Sequence, residues 1–568
     1  MEHMIEVRGV SFTYASRTRP SLLNIDLQVP RGDFLLITGS TGCGKSTLLK
    51  MFNGLIPHAC GGTMTGEVQV RGQSIHASPV AELSKIVGVM FQSPDDQIFS
   101  ATAADEVAFI LQNQGMEAEA IEQEVKLALA VVGLAGMENA SVHALSGGQK
   151  QRLALAAILV ARPEVLVLDE PISQLDPQGA QELLAVIYDL NQQHGMTVII
   201  VEHRLHEVLP LCQHVAIMDQ GQLVWQGTRE QAFHQAQVFV RYGLRLPHTV
   251  DLCRRLGIKS PGASVTETVA VIQNTYGMLA AGMVRKWKPG KSIQAKMPQE
   301  QAIVEICDVG FQYEPKGRFI LNKINLRIFK GQFIALMGKN GAGKSTLLQI
   351  ISGLAEATAG QVSLHGKPLR SLVSEIGLVL QNPDLMLFNL TVEKELLFVL
   401  KQRRKLALKE EILPVLIQNF GLARLEQDFP LALSRGQRFR VAIAAALAVQ
   451  PEVLLLDEPT TGQDIGHIRA VAQILKEYVK QGGTVVFCTH DTEVAAEYAD
   501  RILVMQQGDI LADTTPAELF CDEDILQAVG IRPPQITQLA KLLYSGSAVT
   551  VEEVAAYVRQ NAVGTQAQ

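Results

Sequence analysis

The sequence predicts an α/β fold built twice. Each of two tandem units has a mainly parallel sheet with helices on both faces, a helical subdomain and a small C-terminal helical appendix. Three observations predict it. Two glycine-rich loops of the form G-x-x-x-x-G-K-[ST] stand 299 residues apart, Lys45 matching Lys344 (344 − 45). Each follows an apolar strand-like run and opens a helix-like one. Short, near-continuously apolar runs, many of them β-branched, alternate with helical stretches, as buried parallel strands do.

The first loop reads Gly39-Ser40-Thr41-Gly42-Cys43-Gly44-Lys45-Ser46, after Phe34-Leu35-Leu36-Ile37 and before Thr47-Leu48-Leu49. The second reads Gly338-Lys339-Asn340-Gly341-Ala342-Gly343-Lys344-Ser345, after Phe333-Ile334-Ala335-Leu336 and before Thr346-Leu347-Leu348. Glycines let backbone N–H groups wrap phosphates, and the helix N-terminus favours their charge. Lysine reaches the outer phosphates and the Ser hydroxyl ligates Mg²⁺. Two plain glycine-rich turns are the alternative, and their equivalent contexts argue against it.

Further along, Val165-Leu166-Val167-Leu168 and Val453-Leu454-Leu455-Leu456 end in Asp169-Glu170 and Asp457-Glu458. Such a pair points at the phosphate loop from the neighbouring strand. The Asp can hold Mg²⁺ and the Glu can polarise the attacking water. The pairs lie 124 residues after Lys45 (169 − 45) and 113 after Lys344 (457 − 344). Thr197-Val198-Ile199-Ile200-Val201 and Thr484-Val485-Val486-Phe487 are the next strands.

At 568 residues the chain exceeds one core, so several domains are expected. Net charge is −7, which argues against a nucleic-acid binder. Seven scattered cysteines without a C-x-x-C pair suggest no zinc or iron–sulfur site and a reducing cytoplasm. The N-terminus has no signal pattern, and no window approaches the roughly 20 apolar residues of a membrane helix.

The repeat register divides the chain. Gln92 matches Gln381 at an offset of 289, Ser146 matches Ser434 at 288, and His203 matches His490 at 287. The fall from 299 to 289 is assigned to about ten extra first-half residues in the Gly-rich stretch 56–63, read as a surface loop. Gly243-Leu244-Arg245-Leu246-Pro247 resembles Gly530-Ile531-Arg532-Pro533-Pro534, with each proline near a helix start. Arg285-Lys286-Trp287-Lys288-Pro289-Gly290-Lys291, running on to Pro298, reads as a solvated linker. The expected domains are 1–235, a helical appendix and linker 236–300, 301–525, and a C-terminal appendix 526–568.

Leu145-Ser146-Gly147-Gly148-Gln149 precedes a helical stretch, and its counterpart is Leu433-Ser434-Arg435-Gly436-Gln437. With the loops and acidic pairs, these pentapeptides resemble the ABC ATPase family over nearly the whole chain, twice. The resemblance implies tandem ABC-type nucleotide-binding domains that hydrolyse ATP with Mg²⁺. It implies that Gln92 and Gln381 sense the γ-phosphate and Mg²⁺, and that His203 and His490 steady the γ-phosphate. Asp176 in Ser173-Gln174-Leu175-Asp176 and Asp464 in Thr461-Gly462-Gln463-Asp464 correspond to D-loop residues, and Tyr14 and Tyr313 to the aromatics that stack on adenine. The pentapeptide of one half would face the phosphate loop of the other, so one chain would close around two ATP molecules. Arg435, where the first half has Gly147, is the one departure among the catalytic motifs.

The stretch after each Gln narrows the resemblance. Gln92-Ser93-Pro94-Asp95-Asp96-Gln97-Ile98-Phe99 leads to Thr102 and Asp105-Glu106-Val107-Ala108-Phe109. The second half has Gln381-Asn382-Pro383-Asp384-Leu385-Met386-Leu387-Phe388, then Thr391-Val392 and Glu395. This resembles the ATPases of energy-coupling factor (ECF) transporters, as does Asn53-Gly54-Leu55-Ile56-Pro57-His58 before Gly61-Gly62. It implies import of a vitamin, a vitamin precursor or a transition-metal ion, from the cytoplasmic face of the membrane. The implied partners are a transmembrane coupling protein and a substrate-binding membrane protein. A groove beside Gln92 with Phe99 exposed would receive an amphipathic helix. Two alternatives stand: the tandem ATPase of a monosaccharide importer, and a soluble ribosome- or DNA-associated ABC protein. The second would be expected to carry a charged insert, a cysteine cluster or a basic surface.

Overall fold

The computed structural model describes residues 3–15, 19–173, 175, 177–259, 261–262, 264–277, 302–314, 317–369, 375–402, 405–460 and 465–561. The proposed linker 285–298 lies outside them, as do Asp176 and Asp464. The chain divides into two units, Met1–Ser264 and Val265–Gln568.

In the first unit a six-stranded sheet runs in the order Gln222–Thr228, His214–Asp219, Phe34–Gly39, Thr197–Val201, Val165–Asp169, Val87–Met90. Only the outermost pair, Gln222–Thr228 with His214–Asp219, is antiparallel. The strand before the phosphate loop is central and buried at every residue. Its side chains alternate between two cores. Phe34 and Leu36 pack with the helices on one face, and Leu35 and Ile37 pack into the other cluster. The second unit repeats this as Ile376–Val379, Val453–Leu456, Thr484–Cys488, Phe333–Met337, Arg501–Gln506, Asp509–Thr514.

Each unit has a second sheet that the sequence reading did not anticipate. Leu22–Pro30, His3–Tyr14, Gly62–Val70 and Gln73–Ser74 form an antiparallel four-stranded sheet, matched by Leu321–Ile328, Val304–Phe311, Ala359–Leu364 and Lys367–Pro368. These strands bury alternate residues, for example Ile25, Leu27 and Val29 between exposed neighbours. Their apolar signal is half as dense as that of the central strands, which is why they were overlooked.

The extra first-half residues are not one loop. Val68 pairs with Val7 as Val362 pairs with Ile306, an offset of 294 (362 − 68). Val87 and Ile376 begin equivalent strands at an offset of 289 (376 − 87). About half of the insertion therefore precedes the strand Gly62–Val70 and half follows it, where the helix Val80–Ile86 sits. The stretch read as a surface loop also carries a short helix, Leu55–His58, whose Ile56 is fully buried.

The helices Ala103–Asn113, Ala118–Val131 and Gly147–Leu159 form the helical part of the first unit, and Val392–Gln402, Lys409–Asn419 and Arg435–Ala448 that of the second. In the appendices, Pro247 caps His248–Arg255 and Pro534 caps Gln535–Tyr544, as the sequence predicted. The helix Val265–Tyr276 packs on Gln535–Tyr544 within the second unit.

Candidate active site

Each phosphate loop links its central strand to a helix, Lys45–Phe52 or Lys344–Ser352. The residue before each helix, Gly44 or Gly343, is left-handed and offers no side-chain cap. The first helical N–H groups therefore face the loop with no capping side chain, as an anion site requires. Gly39 and Gly338 are the tightest points. A Cβ there would lie 2.1 Å from the Met218 carbonyl oxygen and 2.3 Å from that of Met505. Gly42 and Gly341 also have positive φ. Lys45 Nζ donates to the carbonyls of Gly39 (2.9 Å) and Ser40 (3.0 Å). Lys344 does the same to Gly338 (2.8 Å) and Lys339 (3.1 Å). Both lysines are curled back onto their own loops, each ammonium held by two loop carbonyls.

The acidic pairs arrive not from the neighbouring strand, as the sequence suggested, but from the next one over, because Thr197–Val201 or Thr484–Cys488 is inserted between them and the phosphate-loop strand. Asp169 hydrogen-bonds Ser46, and Asp457 hydrogen-bonds Ser345. Burial, then the neighbouring Glu170, pushes the Asp169 carboxyl up to about 6. Burial raises Asp457 as well, and its Oδ1 is buried without a hydrogen-bond partner. A carboxylate beside a hydroxyl, with an unsatisfied oxygen next to a phosphate loop, suits a hard cation completed by phosphate and water.

Glu170 and Glu458 adopt φ of 51° and 50°, a left-handed conformation costly for a non-glycine residue. The strain was not legible in the sequence. It recurs in both units, at the carboxylates best placed to act as general bases. His203 Nε2 lies 3.3 Å from Glu170 Oε1, and His490 Nε2 lies 2.9 Å from Glu458 Oε1. Burial would raise both glutamates. For Glu170 the His203 contact and charge, with Lys45 and the Gln92 hydrogen bond, outweigh it; for Glu458 the charge of the adjacent His490, with Lys344, does. Both carboxyls are held below their ordinary value.

Gln92 Nε2 donates to Glu170 Oε2 at 2.8 Å. Gln381 is exposed, and no matching bond to Glu458 exists among the described residues. The tyrosines lie beside their loops, Tyr14 Oη 3.2 Å from Thr47 Oγ1 and Tyr313 Oη 3.2 Å from Thr346 Oγ1. Tyr313 is 67% exposed.

The pentapeptides form matching capping boxes. Ser146 Oγ accepts from Gln149 N–H (3.3 Å), and Ser146 N–H donates to Gln149 Oε1 (2.9 Å). Ser434 and Gln437 repeat both bonds at the same lengths. Arg435 leaves this cap unchanged. A Cβ on its counterpart Gly147 would meet nothing within 4 Å, so the position tolerates a side chain. Gly148 is tighter, its Cβ position lying 3.0 Å from Leu175, and the second half keeps glycine there as Gly436.

Sequence reasoning gave no role to several residues around the site. Glu106 accepts N–H bonds from Phe99 (3.1 Å) and Ser100 (2.8 Å), and Glu395 accepts them from Phe388 (2.9 Å) and Asn389 (2.8 Å). Lys150 pairs with Asp95 at 2.6 Å, as Arg438 pairs with Asp384 at 3.1 Å. Their common repeat offsets, 288 or 289, were the available signal. Glu202, 1% exposed, has no acidic counterpart in the second half, so the repeat could not reveal it.

Two strained carboxylates, each beside a phosphate loop and a histidine, define a tandem nucleotide hydrolase. The sequence model described as ABC transporter matches residues 22–173 and 321–461, and the chain belongs to that family. It is an ATP-binding and ATP-hydrolysing component of a transporter. A Methanosarcina mazei protein named "Putative ABC transporter ATP-binding protein" is 42% identical over 553 residues, 95% of this chain and 94% of its own length. A Bacillus cereus protein of the same name is 32% identical over 558 residues, 96% and 97% of the two chains. The solved structure of cbiO1 from Clostridium perfringens, described as part of the ABC transporter complex cbiONQ, is 32% identical over 45% of this chain and 100% of its own, with a TM-score of 0.39.

Proposed function

We propose that this ATPase energises an importer of the ECF type, taking up a vitamin, a vitamin precursor or a transition-metal ion. The observation that carries this reading is the repeated apolar anchor after each Gln. Phe99 is 65% exposed and Phe388 is 71% exposed, yet the backbone of each is fixed by a buried carboxylate. A rigidly held, exposed aromatic suits docking of an amphipathic helix from a separate membrane protein. Phe109 stacks edge-on against Phe99 at 4.8 Å and widens the first anchor. Among the described residues no helix is long and apolar enough to cross a membrane. The partners in this reading are a transmembrane coupling protein and a substrate-binding membrane protein, with the ATPase peripheral on the cytoplasmic face.

At each site Lys45 or Lys344 uncurls to meet the outer phosphates, while loop amides and the helix N-terminus hold the rest. Ser46 with Asp169, and Ser345 with Asp457, would hold Mg²⁺, which would supply charge neutralisation at the phosphates. Gln92 and Gln381 approach the same region. Glu170 or Glu458 takes the proton of the attacking water, and His203 or His490 orients that carboxylate and the γ-phosphate. Tyr14 and Tyr313 receive the adenine. The Ser146 pentapeptide serves the second loop and the Ser434 pentapeptide the first, and Asp176 and Asp464 take the D-loop role that the family resemblance implies. ATP is then closed between the halves of one chain, and its higher affinity for the closed pair drives closure.

Detergent extraction followed by affinity purification of the chain from its own cells tests the branch. Recovery of small integral membrane proteins in fixed ratio is the expected result. Recovery with ribosomes, or with a permease that binds a monosaccharide, contradicts it.

A further inference from the structure

The first unit contains a buried ionic clamp that the reaction scheme does not use. Glu202 precedes His203 and is 1% exposed. Its Oε1 accepts the Ile172 N–H at 3.0 Å and its Oε2 accepts the His203 N–H at 3.1 Å. Two residues on, Arg204 Nη2 donates to the carbonyls of Ile172 and of Leu175, the latter at 3.0 Å. One carboxylate and one guanidinium therefore stitch the His203 loop to the segment that follows Glu170. The Arg204 bridge sets an ionised group against backbone carbonyls, the stronger class of hydrogen bond. Burying a carboxylate is costly, and one retained at 1% exposure is held there by specific partners.

The second unit has neither group. Thr489 stands in place of Glu202 (489 − 202 = 287) and Asp491 in place of Arg204 (491 − 204 = 287). Thr489 Oγ1 lies 3.3 Å from Thr460 Oγ1, a hydroxyl contact where the first unit has a carboxylate bridge. It also accepts the Asp491 N–H at 3.0 Å. Asp491 caps the helix Thr492–Tyr498 through the N–H groups of Glu493 (2.9 Å) and Val494 (3.0 Å).

We propose that Glu202 and Arg204 are positioning residues that lock His203 to the backbone of Ile172 and Leu175, so that the first unit's switch histidine moves with those residues, whereas Thr489 and Asp491 cannot make the same bridges beside His490. The proposal rests on the reading of His203 and His490 as γ-phosphate residues. Any displacement of the Ile172 or Leu175 backbone therefore reaches the His203 loop through the hydrogen bonds of Glu202 and Arg204. Among the described residues of the second unit, the corresponding contact is the one between the hydroxyls of Thr489 and Thr460. The two ATP sites then differ in how tightly hydrolysis is tied to the neighbouring segment, although their reacting groups are the same.

The test compares Glu202→Gln with Thr489→Val in the full chain. Glutamine keeps the shape but opposes one N–H with another. The expected result for Glu202→Gln is a fall in kcat of at least about twofold with KM for ATP unchanged, the signature of lost transition-state positioning. Amide hydrogen exchange at Ile172 and His203 should quicken by about tenfold or more, without change in the central strands. Thr489→Val should leave kcat near wild type. Equal losses in the two variants, or unchanged exchange at Ile172 and His203, overturn the proposal. A rise in KM with kcat intact overturns it as well. His203→Ala, measured alongside, separates the underlying reading: wild-type turnover by that variant removes the role of His203, whatever the clamp does.

Discussion

Within the first unit the carboxylate of Glu170 is gripped on both oxygens, by Gln92 at 2.8 Å and His203 at 3.3 Å, and the His203 loop is itself tied down by Glu202. Within the second, Glu458 meets His490 at 2.9 Å, Gln381 is exposed, and Thr489 replaces the buried acid. Yet the phosphate loops, the strained glutamates and the capping boxes of the pentapeptides match closely. The groups proposed to touch phosphate are alike in the two units, and the groups that hold them in place differ. Duplication permits this, because one half can loosen its support while the other still carries a fully braced base.

The largest expected effect tests the shared part. Gly39→Ala and Gly338→Ala each force a Cβ into a backbone carbonyl, and each should cost about 2–4 kcal/mol or abolish nucleotide binding at its loop. Nucleotide titration and thermal unfolding read this out. Gly147→Arg, which copies Arg435 into the first half, enters open space and should shift stability by less than about 0.5 kcal/mol. A large loss from Gly147→Arg would mean that the pentapeptides are not equivalent after all.

Next in size is the division of labour between the sites. Glu170→Gln and Glu458→Gln, made singly, should each lower steady-state ATP turnover, and by unequal amounts. Wild-type turnover by Glu170→Gln would make the site served by Arg435 silent and break the comparison. Smaller, and confined to partner binding, is the effect of Phe99→Ala with Phe388→Ala. Association with copurified membrane protein should weaken by about tenfold or more while ATP affinity stays unchanged. Equal loss of ATP affinity would mark these rings as part of the fold.

The smallest effect is a pH dependence present in one unit only. Burial, partly offset by Arg204 and reinforced by Glu170, raises the Glu202 carboxyl from 4.5 to about 7. A carboxyl raised in the folded state binds its proton more tightly there, so its charge destabilises the fold increasingly as pH climbs from 4.5 towards 7, and fully above that. Glu202→Gln removes this penalty. The unfolding temperature of that variant minus wild type should therefore become more positive from about pH 5 to about pH 8. A pH-independent difference would show that Glu202 does not titrate in this range.

Much of this was legible in the sequence because the chain states it twice. Lys45, Asp169, Glu170 and His203 each recur at a regular offset, and the central strands announce themselves by continuous apolar runs. What was hidden depends on three-dimensional neighbours or on alternation too sparse to notice. The left-handed backbone at Glu170 and Glu458 follows from how each strand end meets the next loop, which no residue type signals. The antiparallel sheets use half-exposed strands. The insertion was placed in one stretch because glycine composition drew attention to 56–63, whereas strand register divides it around Gly62–Val70. Glu202 looked like an ordinary residue before a histidine, since its partners are main-chain amides.

The most direct measurement is ATP binding and turnover by the double variant Glu170→Gln with Glu458→Gln, in the intact chain with Mg²⁺. Loss of only the water-activating carboxylates should abolish turnover and leave ATP binding intact. Substantial steady-state hydrolysis by that double variant would contradict the assignment of the strained carboxylates as the general bases of both sites.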